Sequence, residues 1–451
     1  MSQLRNMTEG SAVRHLFFFA LPLFFGSLLQ QFYNMADSFV VGNFVGDGAL
    51  AAVGIGWPVL FTFTSFFMGL GTGGTVVISQ HYGAQHFSQV RGAIDTLYTA
   101  FLFLAVPFSL VAALLVPALL TLLQVDASFR ADAQLYLVIV CGGLFGSVGY
   151  NINSGILQGL GDSRSSVIFL AVSSVVNIIG DLLLVIVFQM GVAGVAIATV
   201  FAQILSWIFG ICYINRKYPD IVIRPFSLRF DRALFKDIVR IGLPAGIQMA
   251  TVGLGSLVVM AKINSFGEAY TAAYNVGNKL DNMAWLPVQA ITTAVTAFVG
   301  QNVGAQRYDR AKKGIAAALG LSLVWCALII AILMPLRHAA VDLFTDTPET
   351  IAIGARYLWC IMPFYPFLAS MFCINNSMRG AGDSIFPMIC ILLSQIFVRV
   401  PVFYYFADTF GPYNMYYTYG VTWAFGATLA VCYFLTGRWK RFSLTKKEED
   451  S

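Results

Sequence analysis

Long apolar stretches separated by short polar segments recur along the whole chain. A helix needs about 20 apolar residues to cross the hydrocarbon core of a membrane, and twelve stretches reach that length. Their approximate bounds are 15–39, 50–78, 92–123, 131–158, 165–188, 191–214, 238–263, 271–299, 314–336, 352–378, 385–407 and 416–436. Several contain proline or glycine, which membrane helices tolerate because neighbouring groups satisfy the freed backbone. The pattern predicts an all-α membrane protein with twelve transmembrane helices.

The two halves of the sequence resemble each other at a nearly constant offset. QHYGAQ at 80–85 recurs as QNVGAQ at 301–306, an offset of 221. GDS at 161–163 recurs at 382–384, again at 221. Further matches at 221 or 222 pair Gly46 with Gly267, Ala51 with Ala272, Ala52 with Ala273 and Leu21-Pro22 with Leu243-Pro244. These matches fall in four segments that occur in the same order in both halves, which indicates an internal duplication.

Each half contains six spans, an even number, so both halves begin on the same side of the membrane and the repeats are parallel. We therefore expect two six-helix bundles around a central cleft that opens alternately to either side. The expected organisation is an N-lobe with spans 1–6 at 1–214, a cytoplasmic linker at 215–237, a C-lobe with spans 7–12 at 238–437 and a basic cytoplasmic tail at 438–451.

The composition supports a membrane protein and excludes several other classes. Of the 451 residues, 58% are apolar and 11% are charged, whereas soluble proteins carry about 25% charged residues. No polar stretch exceeds about 25 residues, which is too short for a soluble catalytic domain. The four histidines and seven cysteines show no catalytic or metal-binding spacing. Because the net charge of +5 is also small, we expect neither an enzyme nor a nucleic-acid-binding protein.

Lysine and arginine are distributed unevenly between the two sides of the membrane. Of the 27, 21 lie in the termini or in segments that share their side, and the opposite loops hold only Arg130, Arg337 and Arg356. By the positive-inside rule, both termini are expected in the cytoplasm. We thus expect a multi-pass protein of the cytoplasmic (inner) cell membrane, acting as a monomer whose partners are small molecules and membrane lipids.

Two acidic residues lie deep in apolar spans of the first half. Asp37 lies about 22 residues into outward-running span 1 and Asp181 about 16 residues into outward-running span 5, roughly 33 and 24 Å along their helices. Asn177 lies one turn before Asp181 on the same face, and Thr199 in span 6 reaches a similar depth. Ionisable groups within spans are costly and usually functional. Because oxygen ligands suit a small hard cation or a shared proton, these four residues predict a cation site.

The second half lacks this set of oxygen ligands. The offset maps Asp37 to Val258 or Val259 and Asp181 to about Val402. One lobe is therefore expected to carry a cation site and the other is not. The alternative is that the two acids only hydrogen-bond to hold helices together.

Polar and aromatic residues of the C-lobe form a candidate substrate-binding wall. They are Gln248, Asn275, Asp281, Met283 and Trp285. Trp285 lies one turn from Asp281 on the same helix face, and an acid near an aromatic ring suits an organic cation through charge and cation–π attraction. Alternatively, Lys279 or Arg399 pairs with the acid, and the tryptophan only packs at an interface.

Several segments are similar to a known transporter family. They are LPLFFGSLLQQFYNMADSFVVGNFVG at 21–46, ALAAVG at 49–54, LPAGIQ at 243–248 and the paired GAQ and GDS segments. These residues resemble MATE (multidrug and toxic compound extrusion) transporters over essentially the whole chain. The resemblance implies a secondary active multidrug efflux antiporter, which exports drug-like and often cationic compounds by alternating access in exchange for H⁺ or Na⁺. It implies no cofactor besides that coupling ion.

Within the family, the sequence resembles the DNA-damage-inducible-type branch of bacteria and archaea. This resemblance implies that Asp37, Asn177, Asp181 and Thr199 form the site for H⁺ or Na⁺, with no other metal. It also implies that span 1 bends at Pro22.

Two further positions bear on this match. Asn153 corresponds to another polar member of the cation site, but about 21 residues into inward-running span 4 it lies nearer the cytoplasm than the aspartates. Another branch of the family carries an acid in span 7, where this sequence has Val252. That departure argues against a C-lobe cation site of the same type.

Three other classes of membrane protein share some of these features. A lipid-linked oligosaccharide or lipid flippase of the same superfamily would favour a cavity rich in arginine, whereas Arg399 is the one arginine deep in a span. A major-facilitator transporter also has six-plus-six parallel repeats, but QHYGAQHFSQVR lacks that family's basic G-x-x-x-D motif. A channel would need a polar lining along one pore, and none is evident. The flippase is therefore the main alternative.

Overall fold

Fifteen α-helices make up most of the computed structural model, which describes residues 6–122 and 125–445. Their bounds are α1 Ala12–Phe44, α2 Asp47–Gly83, α3 Phe87–Leu122, α4 Arg130–Gly142, α5 Leu144–Gly159, α6 Ser163–Asp181, α7 Gly191–Lys217, α8 Arg232–Asn264, α9 Glu268–Gly304, α10 Tyr308–Asp342, α11 Pro348–Ile361, α12 Tyr365–Gly380, α13 Ile385–Leu392, α14 Arg399–Thr409 and α15 Thr418–Leu435. A π-helical segment, Leu182–Val187, continues α6, and another, Leu393–Val398, joins α13 to α14. Short 3₁₀ segments lie at Met362–Phe364, Met415–Tyr417 and Arg438–Phe442. The described residues contain no strand, which confirms the all-α class.

These helices provide the predicted number of membrane spans. Eleven helical runs among the described residues are long and apolar enough to cross a membrane. A further span is built from α4 and α5, which meet at an angle of 45°. The break falls at the pair Gly142–Gly143, and glycine pairs are recurrent sites of helix bends. Counted as one span, the bent pair brings the total to the predicted twelve.

The chain forms two compact units that differ from the sequence boundaries at the first helix of each half. The first unit contains Phe25–Gly246, and the second contains Met7–Phe24 with the described residues from Ile247 onward. Thus α1 and α8 each contribute their first turns to one unit and their remaining turns to the other. Within the predicted basic tail, residues 446–451 lie outside the described residues.

The predicted linker belongs to the first unit because hydrogen bonds fasten it to α3. The Arg91 Nε donates to the carbonyl of Asp220 at 2.7 Å. The Thr99 hydroxyl donates to the carbonyl of Arg229 at 2.8 Å. These bonds join side chains of α3 to the backbone of the linker, so the linker is an ordered part of this unit.

Each unit is organised around a central pair of helices, α2 and α5 in the first unit and α9 and α12 in the second. In the first unit α2 packs against α5, and α7 contacts α4, α5 and α6. In the second unit α9 contacts α10, α11 and α12, and α12 also packs against α15. The central helices therefore have neighbours on several sides, as a buried span requires.

Equivalent residues of the two repeats make equivalent contacts. The Thr75 hydroxyl of α2 donates to the carbonyl of Gly155 in α5 at 3.0 Å. Thr296 of α9, 221 residues later, donates to the carbonyl of Asn376 in α12 at 3.2 Å. The duplication read from the sequence is thus repeated in the hydrogen bonds between the central helices.

The paired GAQ segments end α2 and α9 in the same kind of turn. Gln85 and Gln306 adopt φ of +63° and +58°. The N–H of Gln85 donates to the carbonyl of Tyr82, and the N–H of the next residue donates to His81. This pair of bonds is a Schellman cap. The GAQ segments are therefore tight turns that stop two long helices.

The GDS segments are also Schellman turns, followed at once by a new helix. Gly161 and Gly382 have φ of +87° and +99°, a left-handed conformation that glycine enters without steric cost. In the first repeat, the next residue, Asp162, accepts a hydrogen bond from the N–H of Ser165 at 3.1 Å. Aspartate is a favoured residue at this N-cap position, so the motif both ends α5 and begins α6.

The Asp162 carboxylate additionally binds the end of α7. It forms an ion pair with Lys217 at 2.9 Å and accepts a hydrogen bond from the Tyr218 hydroxyl. Burial alone would raise the pKa of Asp162, but its bonds to Ser165, Tyr218 and Lys217 together lower that pKa below the ordinary value. The carboxylate therefore holds α6 and α7 together in its charged form.

Replacing Asp162 by asparagine is expected to destabilise the first unit in a pH-dependent way. A carboxyl pKa that is lower in the folded state contributes stability above the unfolded value of about 4, and this stability is lost as the pH falls through the folded value. Asparagine still caps a helix but loses the ion pair, which should cost roughly 1–2 kcal/mol near neutral pH. Thermal unfolding of the purified protein at about pH 7 and about pH 3 measures the difference.

The control for this experiment is Asp346→Asn, which changes an exposed acid and should leave the unfolding temperature unchanged at both pH values. The deficit of Asp162→Asn should shrink in acid. An equal deficit at both pH values would show that the ion pair is not its cause.

Candidate functional site

The two predicted acids lie on helices of the first unit. Asp37 occupies the second half of α1, which runs as one helix from Ala12 to Phe44. Asp181 is the last residue of α6 before the π-helical segment Leu182–Val187. Such π turns are frequent at functional sites. The helix thus changes from α-helical to π-helical geometry directly after Asp181.

The carboxyl groups of Asp37 and Asp181 meet within hydrogen-bonding contact. The Oδ1 atom of each carboxyl is buried and has no hydrogen-bond partner. The Asn177 Nδ2 donates to the Thr199 hydroxyl at 3.2 Å, and the Asn177 Oδ1 is likewise buried without a partner. The structure therefore brings together all four residues that the sequence predicted, with three unpartnered oxygens among them.

Two tyrosines complete this cluster, and the sequence reasoning missed both. The Tyr33 hydroxyl hydrogen-bonds to Thr199 and interacts electrostatically with both aspartates. Tyr136 of α4 also interacts electrostatically with both acids. Tyr33 had a signal in the sequence, because it lies one turn before Asp37 on the same helix face. Tyr136 had none, since only the fold brings α4 to this position.

This arrangement suits a small cation better than a cofactor or a transition metal. Carboxylate, amide and hydroxyl oxygens are ligands for hard cations such as Na⁺, and two adjoining carboxyl groups can share a proton. Within 6–122 and 125–445, no group of three or more histidine, cysteine, aspartate or glutamate residues converges as a metal site would require. In the second unit, the positions that the offset gives for Asp37 are Val258, which is 38% exposed, and Val259, which is fully buried, and neither has an oxygen ligand.

Asn153 is not joined to this cluster. Its Oδ1 accepts a hydrogen bond from Tyr98, and its Nδ2 donates to the carbonyl of Trp207 at 2.9 Å. Its polar atoms thus connect α5 to α3 and α7.

Pro22 lies within a continuous α1 rather than at a break. The helix remains α-helical through this residue. However, the chain changes from the second unit to the first between Phe24 and Phe25, directly after the turn that contains the proline. A proline removes the hydrogen bond to the carbonyl four residues before it, here Phe18, so α1 is weakened just before it passes between units.

Two of the predicted substrate residues accept hydrogen bonds from other side chains of the second unit. The Gln248 Oε1 accepts a hydrogen bond from the buried Arg379. The Asp281 Oδ1 accepts one from the Tyr365 hydroxyl at 2.6 Å. Ion pairs within 4.0 Å among the described residues do not include Asp281, so neither Lys279 nor an arginine pairs with it directly.

The other three residues of the predicted wall have different surroundings. Trp285 packs edge-to-face on Phe372, with ring centroids 5.2 Å apart. Asn275 is exposed, and Met283 is 52% exposed. The structure therefore places the five candidates on α8 and α9 without gathering them into one cluster.

Comparison with known proteins gives one family match and close structural matches. The family model MatE matches residues 22–183 and 244–405, one stretch in each half of the chain. The chain is also similar to the probable multidrug resistance protein YpnP of Bacillus subtilis, with 29% identity over 443 residues that cover 97% of this chain and 98% of that protein.

Two solved structures show the same fold. The crystal structure of MATE in the bent conformation matches with a TM-score of 0.88 and 20% identity, covering 99% of this chain and 98% of that one. The crystal structure of MATE in the straight conformation matches with a TM-score of 0.86 and 22% identity, covering 98% of each chain. At these identities the likeness establishes the fold alone.

Proposed function

The chain belongs to the MatE family of membrane transporters and is not an enzyme, and from this premise we propose that it is a secondary active antiporter that exports drug-like, often cationic compounds in exchange for H⁺ or Na⁺. The observation that carries the proposal is the buried contact between the carboxyl groups of Asp37 and Asp181, each with an unpartnered oxygen. Two ionised acids in an apolar bundle are costly. Taking up a cation removes that cost.

Coupling requires that the cation and the substrate favour different states of the transporter. In the proposed cycle, Asp37 and Asp181 load a cation from outside while the cleft faces outward. Their neutralisation allows the first unit to close around them, α1 repacks about Pro22, and the substrate is released. The passage of α1 from one unit to the other just after this proline supports it as the bending point.

We place the substrate wall at Gln248, Asn275, Asp281, Met283 and Trp285. Exposed Asn275 and Met283 lie on α9 together with Asp281 and Trp285. One oxygen of Asp281 is held by Tyr365, which orients the carboxyl while leaving its second oxygen to meet an organic cation. In this proposal, Gln248 acts by orienting Arg379.

The distribution of basic residues supports cytoplasmic termini. Of the 27 lysines and arginines, 21 lie in segments on the side of the termini, and cytoplasmic segments carry this excess in membrane proteins. In that orientation Asp37 and Asp181 lie in the outer half of the first unit, where a cation entering from outside can reach them.

Purified protein in proteoliposomes tests the proposed exchange. A fluorescent cationic dye such as ethidium is placed with the protein under an H⁺ gradient without Na⁺, or under a Na⁺ gradient at equal pH. We expect one gradient to drive the dye against its own concentration difference, and an ionophore for that ion to abolish the movement. Dye transport that is the same with and without both gradients would exclude antiport, and no transport at all would exclude this dye class as substrate.

A further inference from the structure

The linker between the two halves of the chain exposes a group of large apolar side chains. It buries Ile221 and Ile223, but Phe226 is 77% exposed, Leu228 58% and Phe230 50%. We call the last three residues the linker patch. Exposed apolar side chains that cluster in this way are typical of interaction surfaces, so the patch needs a partner outside the first unit.

Hydrogen bonds to α3 fix the position of the linker patch along that helix. The Ser227 hydroxyl donates to the Asp95 Oδ1 at 3.3 Å, and the N–H of Asp231 donates to the Thr96 hydroxyl at 3.0 Å. These two bonds flank residues 228–230 on both sides. Leu228 and Phe230 are therefore held beside the third turn of α3.

The third turn of α3 is also where this helix enters the apolar layer of the membrane. The turns before it contain Arg91 and Asp95, whereas the 27 residues from Thr96 to Leu122 include no charged residue. Such a run is about 40 Å long, which is sufficient to cross a hydrocarbon core of about 30 Å. The linker patch therefore lies at the boundary between the lipid headgroups and the hydrocarbon core.

The ring contact of Phe230 places it at the same level. Its ring packs against that of Phe235 in α8, with centroids 5.0 Å apart. Phe235 in turn lines an apolar cavity together with Leu97 and Phe101 of α3. Phe230 thus adjoins the apolar side chains of two spans.

Basic residues accompany the linker patch along the chain. Four of them are exposed: Arg224, Arg229, Arg232 and Lys236. Residues 222–236 contain one acid, Asp231, and the ion pairs among residues 6–122 and 125–445 include none of the four basic side chains. The positive-inside rule accounts for the charges, but it does not account for exposed phenylalanine and leucine between them.

The corresponding segment of the first repeat does not expose apolar side chains in this way. Met7 precedes α1 as the linker precedes α8, but it is 1% exposed, and its carbonyl accepts a hydrogen bond from the Arg310 Nε of α10 at 3.1 Å. The duplicated fold can therefore bury an apolar residue before its first span. The exposed patch is a property of the linker itself.

We propose that the linker patch and the four basic residues form a binding surface for anionic phospholipids. The apolar side chains enter the boundary between headgroups and acyl chains, and the arginines and the lysine bind the phosphates. Apolar burial and attraction to anionic lipid together determine the strength of such interfacial binding. In the orientation proposed above, the surface meets the cytoplasmic leaflet, where anionic lipids are found. It requires neither a transported compound nor a coupling ion.

Fluorescence quenching in proteoliposomes tests the insertion of the patch. A bimane label is attached at Phe226→Cys in the full-length chain, with the exposed Cys212 and Cys432 replaced by serine. We expect strong quenching by a phospholipid that carries a nitroxide near the headgroup end of its acyl chain, and weak quenching by iodide in the water. The matched control is a label at Glu9→Cys, an exposed position of the segment before α1, which should show the reverse pattern.

Nitroxide-labelled phosphatidylglycerol and phosphatidylcholine, compared at equal mole fraction, test the role of charge. The anionic lipid should quench the label at 226 more strongly, and about 1 M salt should reduce this preference. Arg224→Gln with Arg229→Gln should lower it by up to about fivefold for each arginine removed. Lys312→Gln with Lys313→Gln removes two exposed charges of α10 and should keep the full preference.

Two results would overturn the proposal. One is a label at 226 that iodide quenches as strongly as the label at position 9, since the patch would then face water and fit a soluble protein partner. The other is quenching that does not distinguish the two lipids, or a preference that survives loss of both arginines. If Phe226→Cys is poorly produced, Leu228→Cys provides the same measurement.

Discussion

Replacing Asp37 or Asp181 by asparagine is expected to reduce ion-driven efflux to the level of liposomes without the protein. Asparagine keeps the size of aspartate and can still hydrogen-bond, but it carries no charge and cannot take up a proton. The two acids contact each other, so removal of either charge already relieves the repulsion that keeps the unloaded unit from closing, and closure no longer depends on the cation. Dye transport in proteoliposomes under the driving gradient measures the loss, and the amount of protein in the membrane should be unchanged.

The matched control is Asp95→Asn. Asp95 is an acid of the same unit, on α3, where it accepts a hydrogen bond from Ser227 of the linker rather than joining the aspartate cluster. This variant should retain efflux. Full ion-driven efflux by both Asp37→Asn and Asp181→Asn would mean that the acids only hold helices together, which is the alternative reading of the same two residues.

The spans could be predicted from the sequence because the membrane imposes a length and a polarity on every helix that crosses it. Their ends and partners could not. α2 continues beyond its apolar stretch to Gly83, where a backbone turn rather than a change in polarity stops it. The transfer of Met7–Phe24 to the second unit also left no local signal, because it depends on packing between distant segments.

The cation cluster was accessible to sequence reasoning for a different reason. Acids in apolar spans are rare, so Asp37 and Asp181 stood out, and Asn177 followed from helical periodicity. Tyrosine is common in membrane helices, so Tyr136 could not be distinguished before the fold placed it beside the acids. Burial and hydrogen-bond partners, which a sequence does not record, decide such cases.

The predicted substrate wall shows a second limit of sequence analysis, because a polar residue in a span need not bind a ligand. Gln248 is polar and lies in a span, which made it a candidate, but its side chain is already bound to Arg379. Polar residues that hydrogen-bond to each other cannot be distinguished in a sequence from polar residues that bind a ligand. The buried Asn177 Oδ1, which has no hydrogen-bond partner, is the reverse case, where only the structure shows an unpartnered polar atom.

Gly380→Ala is expected to destabilise the second unit strongly although it adds a single methyl group. A Cβ at Gly380 would lie 2.4 Å from the backbone carbonyl oxygen of Thr296, at the contact between α12 and α9. Backbone atoms cannot rotate away as a side chain can, so the two central helices must separate. Overpacking of this kind costs about 1–3 kcal/mol, occasionally more, and thermal unfolding of the purified protein should show a clear decrease in midpoint.

Two further glycine-to-alanine variants serve as controls, one with a smaller clash and one with none. Gly159→Ala in the first unit brings a Cβ to 2.8 Å from the carbonyl oxygen of Thr75, the equivalent contact with more room, and should cost less. At Gly320 of α10 a Cβ would meet nothing within 4 Å. Gly320→Ala should therefore be neutral or stabilising, because alanine favours a helix by about 1 kcal/mol over glycine. If all three variants unfolded at the same temperature, the close approach of α9 and α12 would not be what holds the second unit together.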